Sequence, residues 1–169
     1  MNISFEESGL MFGPFEALSL FRIEKSKGYI QIQQNTKIAE FLWLSASNKL
    51  WVVEAKSSIP KPGTKEYDNY FDEIKFKFIN SLALTINGYL KRNMTIYDEF
   101  SAKFSSLNWS EIDLRLTLII PNVPRADLPP ITDKFRKLML STRKIWKIEE
   151  TSVSVLNKEE AIKVGLASP

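Results

Sequence analysis

The sequence predicts an α/β fold of the α+β kind, a mixed sheet with helices on its faces. The expected order is helix, three strands, helix, strand, helix, strand and a short last helix. Three stretches carry this expectation. Ala39 to Ser58 reads as two apolar runs around a polar break at Ser45–Lys49, the pattern of a β-hairpin with a loop of about five residues. Glu66 to Arg92 places apolar residues at sustained helical spacing. Leu114 to Ile120 is a continuous apolar run with one Arg, closed by Pro121 and Pro124, as a buried central strand would be. A hairpin joined to later strands through helices gives a mixed sheet.

In chain order, residues 1–15 carry three Phe with Gly9, Gly13 and Pro14 and suggest an irregular or extended segment packed on the body. Glu16 to about Lys25 suggests a short helix ended near Gly28. Tyr29 to Gln33 alternates polar and apolar residues and reads as a first strand. The hairpin follows. Ile59–Thr64, IPKPGT, breaks the structure, and Thr64 suits the N-cap of the long helix. Thr95–Ser110 is less regular. After the apolar strand, Pro129-Pro130 precede a helix from about Ile131 to Trp146. Thr151–Leu156 reads as a last strand, and Asn157 caps a helix over Lys158–Val164, before Gly165. The whole is expected to form one domain over residues 1–169.

Composition narrows the chemistry. The 169 residues carry a net charge of +3 and contain neither Cys nor His. Disulfides, thiolate zinc sites, Ser-His-Asp triads and histidine-based nucleases are excluded. Chemistry must rest on carboxylates, Lys, Tyr, Ser or Thr, and a carboxylate-only site suits a hard cation such as Mg²⁺ or Mn²⁺. No phosphate-cradling Gly-rich loop is present. No apolar run approaches the roughly 18 residues of a membrane span, and no signal-peptide pattern opens the chain, so a cytoplasmic location is expected.

The hairpin holds the candidate site. If Leu44 pairs with Leu50, the period of two sets Glu40 opposite Glu54 and Ile38 opposite Lys56. Directly opposed residues have Cβ atoms roughly 4.5–5.5 Å apart. Two carboxylates that close repel unless a cation or proton lies between them. Lys56 shares their face and supplies one charge, and a divalent metal would supply the rest.

This arrangement resembles the PD-(D/E)XK, or restriction-endonuclease-like, nuclease superfamily. There an acid on one strand and an acid-x-Lys triplet on the next hold Mg²⁺ and activate water. Glu40 matches the first acid, Glu54 the second and Lys56 the lysine; the apolar run Leu50–Val53 before the triplet also matches. The family usually has Asp, often after Pro, where this chain has Ala39-Glu40. The resemblance implies a metal set of Glu40, Glu54 and the Ala55 carbonyl. It also implies an acid from the first helix, for which Glu24 is chosen over Glu16. It further implies hydrolysis of DNA or RNA phosphodiester bonds. Lys77 flanks the apolar stripe of the long helix and either reaches the site or a phosphate or is solvated. Lys134, Lys137 and Lys144 fall on one face of the expected 131–146 helix and suit phosphate contacts or solvent equally. Nucleic acid is the expected partner and a homodimer is allowed. The alternative is an inactive nuclease-fold module that binds nucleic acid or protein.

Overall fold

The structure is a computed structural model describing residues 1–169. It opens with an antiparallel hairpin of β1 (Asn2–Glu7) and β2 (Leu10–Glu16), a two-stranded sheet of its own. Ser8 and Gly9 make its turn at φ of 51° and 77°, as a tight hairpin turn of the mirror-image type requires. Residues 1–15, expected as an irregular or extended segment, are thus a paired hairpin, two strands more than the expected order contains.

The helix expected over 16–25 does not form. Its place is taken by a two-residue strand, β3 (Leu20–Phe21), between 3₁₀ turns at Ala17–Ser19 and Ile23–Lys25. The physical reason is that its apolar residues make no common stripe. Phe21 packs on Phe100 and Phe104, Ile23 is fully buried, and Leu18 is half exposed. The strand expected at Tyr29–Gln33 is also absent. That segment starts as the single turn α1 (Lys27–Ile30), capped by Ser26, whose hydroxyl accepts from the Tyr29 amide. Ile30 and Ile32 are exposed, so the alternation there serves no buried face.

The hairpin of β4 (Phe41–Leu44) and β5 (Lys49–Ala55) forms in the expected register, with Leu44 opposite Leu50 and Phe41 opposite Val53. Helix α2 (Lys65–Tyr89) follows, with Thr64 accepting from the Tyr67 amide as its N-cap. Two single turns, α3 (Met94–Tyr97) and α4 (Ala102–Ser105), are capped by Asn93 and Ser101. They lead to β6 (Asp113–Ile119). The helix expected over 131–146 is two helices, α5 (Leu128–Leu138) and α6 (Leu140–Trp146), divided at Met139. It begins earlier than expected because Pro129 and Pro130 occupy its first turn, where a missing N–H is harmless. β7 (Val153–Leu156) and α7 (Lys158–Lys163), capped by Asn157, close the chain.

The main sheet has the order β3-β4-β5-β6-β7. β3, β4 and β5 run antiparallel, and β6 and β7 continue parallel to β5. The fold is thus α/β with a mixed five-stranded sheet. One face packs Leu42, Leu50, Val52 and Leu116 against Phe71, Ile74 and Phe78 of α2 and Phe135 of α5. The other packs Phe41, Trp51 and Val53 against Phe12 and Phe15 of the first hairpin and Ala161 of α7. β5 is covered on both faces, which explains its unbroken run of buried residues. No helix is long and apolar enough to cross a membrane.

Candidate functional site at the carboxylate end of the hairpin

The regular pairing ends with Phe41 opposite Val53. The next bond, from the Glu40 amide to the same Val53 carbonyl at 3.0 Å, departs from that register, so Glu40 and Glu54 meet at the irregular end of the hairpin and not as the directly opposed pair expected. Glu54 has the parity of Val52 and meets Lys77 of α2, and Glu40 lies close enough for the charges of the two acids to act on each other. Main-chain ties hold this end of the hairpin to α2. The Ala39 amide donates to Ser81 Oγ (2.9 Å), Ser81 Oγ donates to the Lys77 carbonyl (2.6 Å), and Asn80 Nδ2 donates to the Lys37 carbonyl (2.9 Å).

Glu54 is fully buried and Glu40 is 6% exposed. A buried carboxylate is costly unless paired. Lys77 Nζ donates to Glu54 Oε1 at 2.7 Å, and Lys56 Nζ lies 3.4 Å from the same oxygen. Lys56 also lies 3.7 Å from Glu73 Oε1, and Lys37 is 2.8 Å from Glu73 Oε2. Lys77, Glu54, Lys56, Glu73 and Lys37 therefore form a chain of alternating charge. It runs from the buried end of the hairpin to the rim of a cleft of about 460 Å³, lined by Glu24, Lys25, Tyr29, Lys37, Glu73 and Lys77 among others.

The acids divide their protons unequally. Burial, a hydrogen bond shared with Glu24 and the charges of Glu54 and Glu24 push Glu40 up to about 9. Glu24 feels burial too, but its bonds to Glu40 and Lys25 hold it below the usual carboxylate range. At neutral pH Glu40 is the protonated partner beside an ionised Glu24. Burial also raises Glu54, against the pull of Lys77 and Lys56. Burial would lower Lys77, but the charge of Glu54 and its hydrogen bond outweigh it and keep the ammonium charged.

Two oxygens remain over. Glu40 Oε2 and Glu54 Oε2 are both buried without a hydrogen-bond partner. Such atoms are rare in folded proteins and call for an occupant; a hard divalent cation takes carboxylate oxygens, and at Glu40 it would displace the proton that the carboxyl holds. This pair fits one. No three acidic side chains gather closely enough to enclose a metal ion as they stand, so a third donor would have to move in. Glu24, hydrogen-bonded to Glu40, is the nearest by connection. Ala55 ends β5 between Glu54 and Lys56.

Sequence reasoning therefore places Glu24, Glu40, Glu54, Lys56 and Lys77 together, with Glu24 on a 3₁₀ turn rather than a helix. Glu16 lies elsewhere, paired with Lys103. Lys77 is not a solvated lysine: its side chain is 15% exposed and committed to Glu54. The expected lysine face does not hold together. Lys134 and Lys137 are on α5, Lys144 is on α6, and Lys134 is paired with Asp68 at 2.9 Å.

Three participants went unrecognised. Glu73 bridges Lys37 and Lys56, Lys37 reaches it from the segment before β4, and the Tyr70 hydroxyl is buried without a partner. Burial and the Glu54 charge push that phenol's proton affinity up. Tyr70, Glu73 and Lys77 fall at i, i+3 and i+7, one face of α2. That spacing was the signal available in the sequence, hidden because Tyr70 also continues the apolar stripe.

No protein-family model matches the chain, and comparisons with characterised proteins and with solved structures find no match.

Proposed function

We propose that the chain is a divalent-metal-dependent phosphodiesterase acting on DNA or RNA, on a restriction-endonuclease-like core. The observation that carries this reading is the pair Glu40 and Glu54, brought together at the end of a hairpin, each with an unpartnered buried oxygen and with Lys56 beside Glu54. The sheet order, with an antiparallel hairpin followed through α2 by a parallel strand, supports it. Glu40 and Glu54 would hold Mg²⁺ or Mn²⁺, joined by Glu24 and the Ala55 carbonyl. When bound, the cation polarises the phosphoryl group and makes the attacking water more acidic. Lys77 holds Glu54 in place as a carboxylate. Lys56 orients the water and offsets charge developing on the phosphoryl oxygens. Glu73 and Lys37 hold Lys56 from the cleft side.

A second reading, an inactive nuclease-fold module that binds nucleic acid or protein, also has an observation behind it. Lys77 neutralises Glu54, and Glu40 keeps its proton, so the acids are largely satisfied without a metal. Cleavage assays on single- and double-stranded DNA and RNA, with Mg²⁺ and Mn²⁺, separate the two. Lys56→Ala should lower cleavage by about 10²–10⁴-fold, the worth of one positioned acid–base or electrostatic group. Mn²⁺ should raise the melting temperature of the unmodified protein by linkage. No cleavage on any substrate and no Mn²⁺-dependent stabilisation would select the inactive module.

A further inference from the structure

On the same face of the sheet, beyond Lys56, lies a second cleft of about 560 Å³. Its lower walls come from Ile120 and Val123 after β6 and Ile131 of α5, its upper wall from Ile59 and Tyr67. Ser57, Ser58, Asn122 and Asp127 set hydroxyl, amide and carboxylate groups among these apolar walls. The volume falls within the roughly 300–1,000 Å³ of small-molecule sites, which likewise combine apolar walls with a few polar groups. The cleft opens where β5 and β6 end, and in open α/β sheets ligands collect beyond the carboxyl ends of the strands.

The cleft adjoins the carboxylate site along the chain and across α2. Lys56, held by Glu54 and Glu73 on one side, is followed directly by Ser57 and Ser58 on the other. Tyr70, whose buried hydroxyl has no partner, stands one turn of α2 from Tyr67, which lines the second cleft. A ligand that presents a phosphate at Lys56 would bring its neighbouring group into the second cleft. Resting on the phosphodiesterase reading, we propose that this cleft binds the nucleobase next to the reacting phosphate. A base is planar and apolar on its faces, so it suits Tyr67, Ile120 and Ile131. Its edge carries donors and acceptors, which suits Asn122, Asp127 and the serines. A base inside a duplex is stacked and cannot enter such a cleft. The inference therefore commits the site to single-stranded or unpaired nucleic acid.

The test does not use cleavage. The full-length protein, without metal, is titrated with each of the common nucleosides, with ribose and with inorganic phosphate, and followed by amide NMR shifts. At least one nucleoside should bind saturably, at roughly millimolar affinity for so small a ligand, and move the Ser57, Ser58, Asn122 and Ile131 amides. Ribose and phosphate should leave those amides unmoved. Ser58 is exposed at the cleft, so Ser58→Trp blocks it without touching the core and should weaken nucleoside binding by at least about tenfold. No nucleoside binding, binding indifferent to Ser58→Trp, or the same shifts with phosphate alone would overturn the inference. Cleavage without nucleoside binding would overturn this pocket alone. Nucleoside binding without cleavage would overturn the enzyme and leave the pocket.

Discussion

Glu40 is the residue whose proton is most displaced. Folded, it holds that proton to about pH 9, against a carboxylate's ordinary 4.5. Between those values folded Glu40 binds more proton than unfolded Glu40, so its contribution to stability is fully present below about 4.5 and is lost as pH rises through about 9. Glu40→Gln keeps the shape and removes the charge. Its melting temperature should be flatter across that window and higher than that of the unmodified protein at the alkaline end, as parallel melts from pH 5 to pH 9 would show. Lys77 is the opposite case. Lys77→Met would leave fully buried Glu54 with Lys56 alone, at 3.4 Å. Breaking a buried pair in this way should cost about 3–5 kcal/mol. Urea unfolding would measure it, and adding Glu54→Gln to the same chain should recover part of the loss.

At the scale of elements, the contact between α2 and its neighbours is set by small residues. Gly88 lies inside α2, where replacing Gly by Ala normally gains about 1 kcal/mol. Here the new Cβ would run into Ile96 of α3 and stand 3.1 Å from Phe100 Cζ. Gly88→Ala should therefore destabilise, by about 1–3 kcal/mol as overpacking does, and a denaturant midpoint below that of the unmodified protein is the expected readout. The same contrast between local preference and packing shows what the sequence can reveal. The β4–β5 hairpin and α2 are long, periodic and bounded by a polar loop and a Thr cap, so pattern, loop and cap agree. β3 is two residues long, below what any period can reveal, and α1 is one turn held by Ser26 and by the packing of Gly28 against Ile96. Both depend on contacts far away in sequence. The site divides along the same line. Glu40, Glu54 and Lys56 follow from the hairpin, whereas the pairing of Lys37 with Glu73 requires knowing where α2 crosses the sheet.

Across the molecule, the basic residues expected to meet phosphate are dispersed. Lys134 is spent on Asp68, while Lys137 and Lys144 are exposed on two different helices. If nucleic acid runs over α5 and α6, replacing Lys137 and Lys144 with Ala should reduce the salt slope of single-strand binding by about 1.4 (0.7 per phosphate contact). Lys134→Ala alone should change it little. Binding measured from low to moderate salt tests this, and an unchanged slope in the double variant would move the footprint to the cleft lysines Lys25 and Lys37.

The pairing scheme of the sheet also bears on the order of assembly. β4 and β5 are joined by a short loop, so their pairing closes early at little loss of chain entropy. The parallel partner β6 and the lysine of α2 come later, since each must be brought across a longer stretch of chain. The two acids thus meet before Lys77 arrives at Glu54, and until then Lys56 is the one cation the hairpin itself sets beside them. Folding in acid, where both carboxyls are neutral from the start, lowers the barrier to that early meeting, and the docking of α2 adds the Lys77–Glu54 pair that ties the hairpin to its helix.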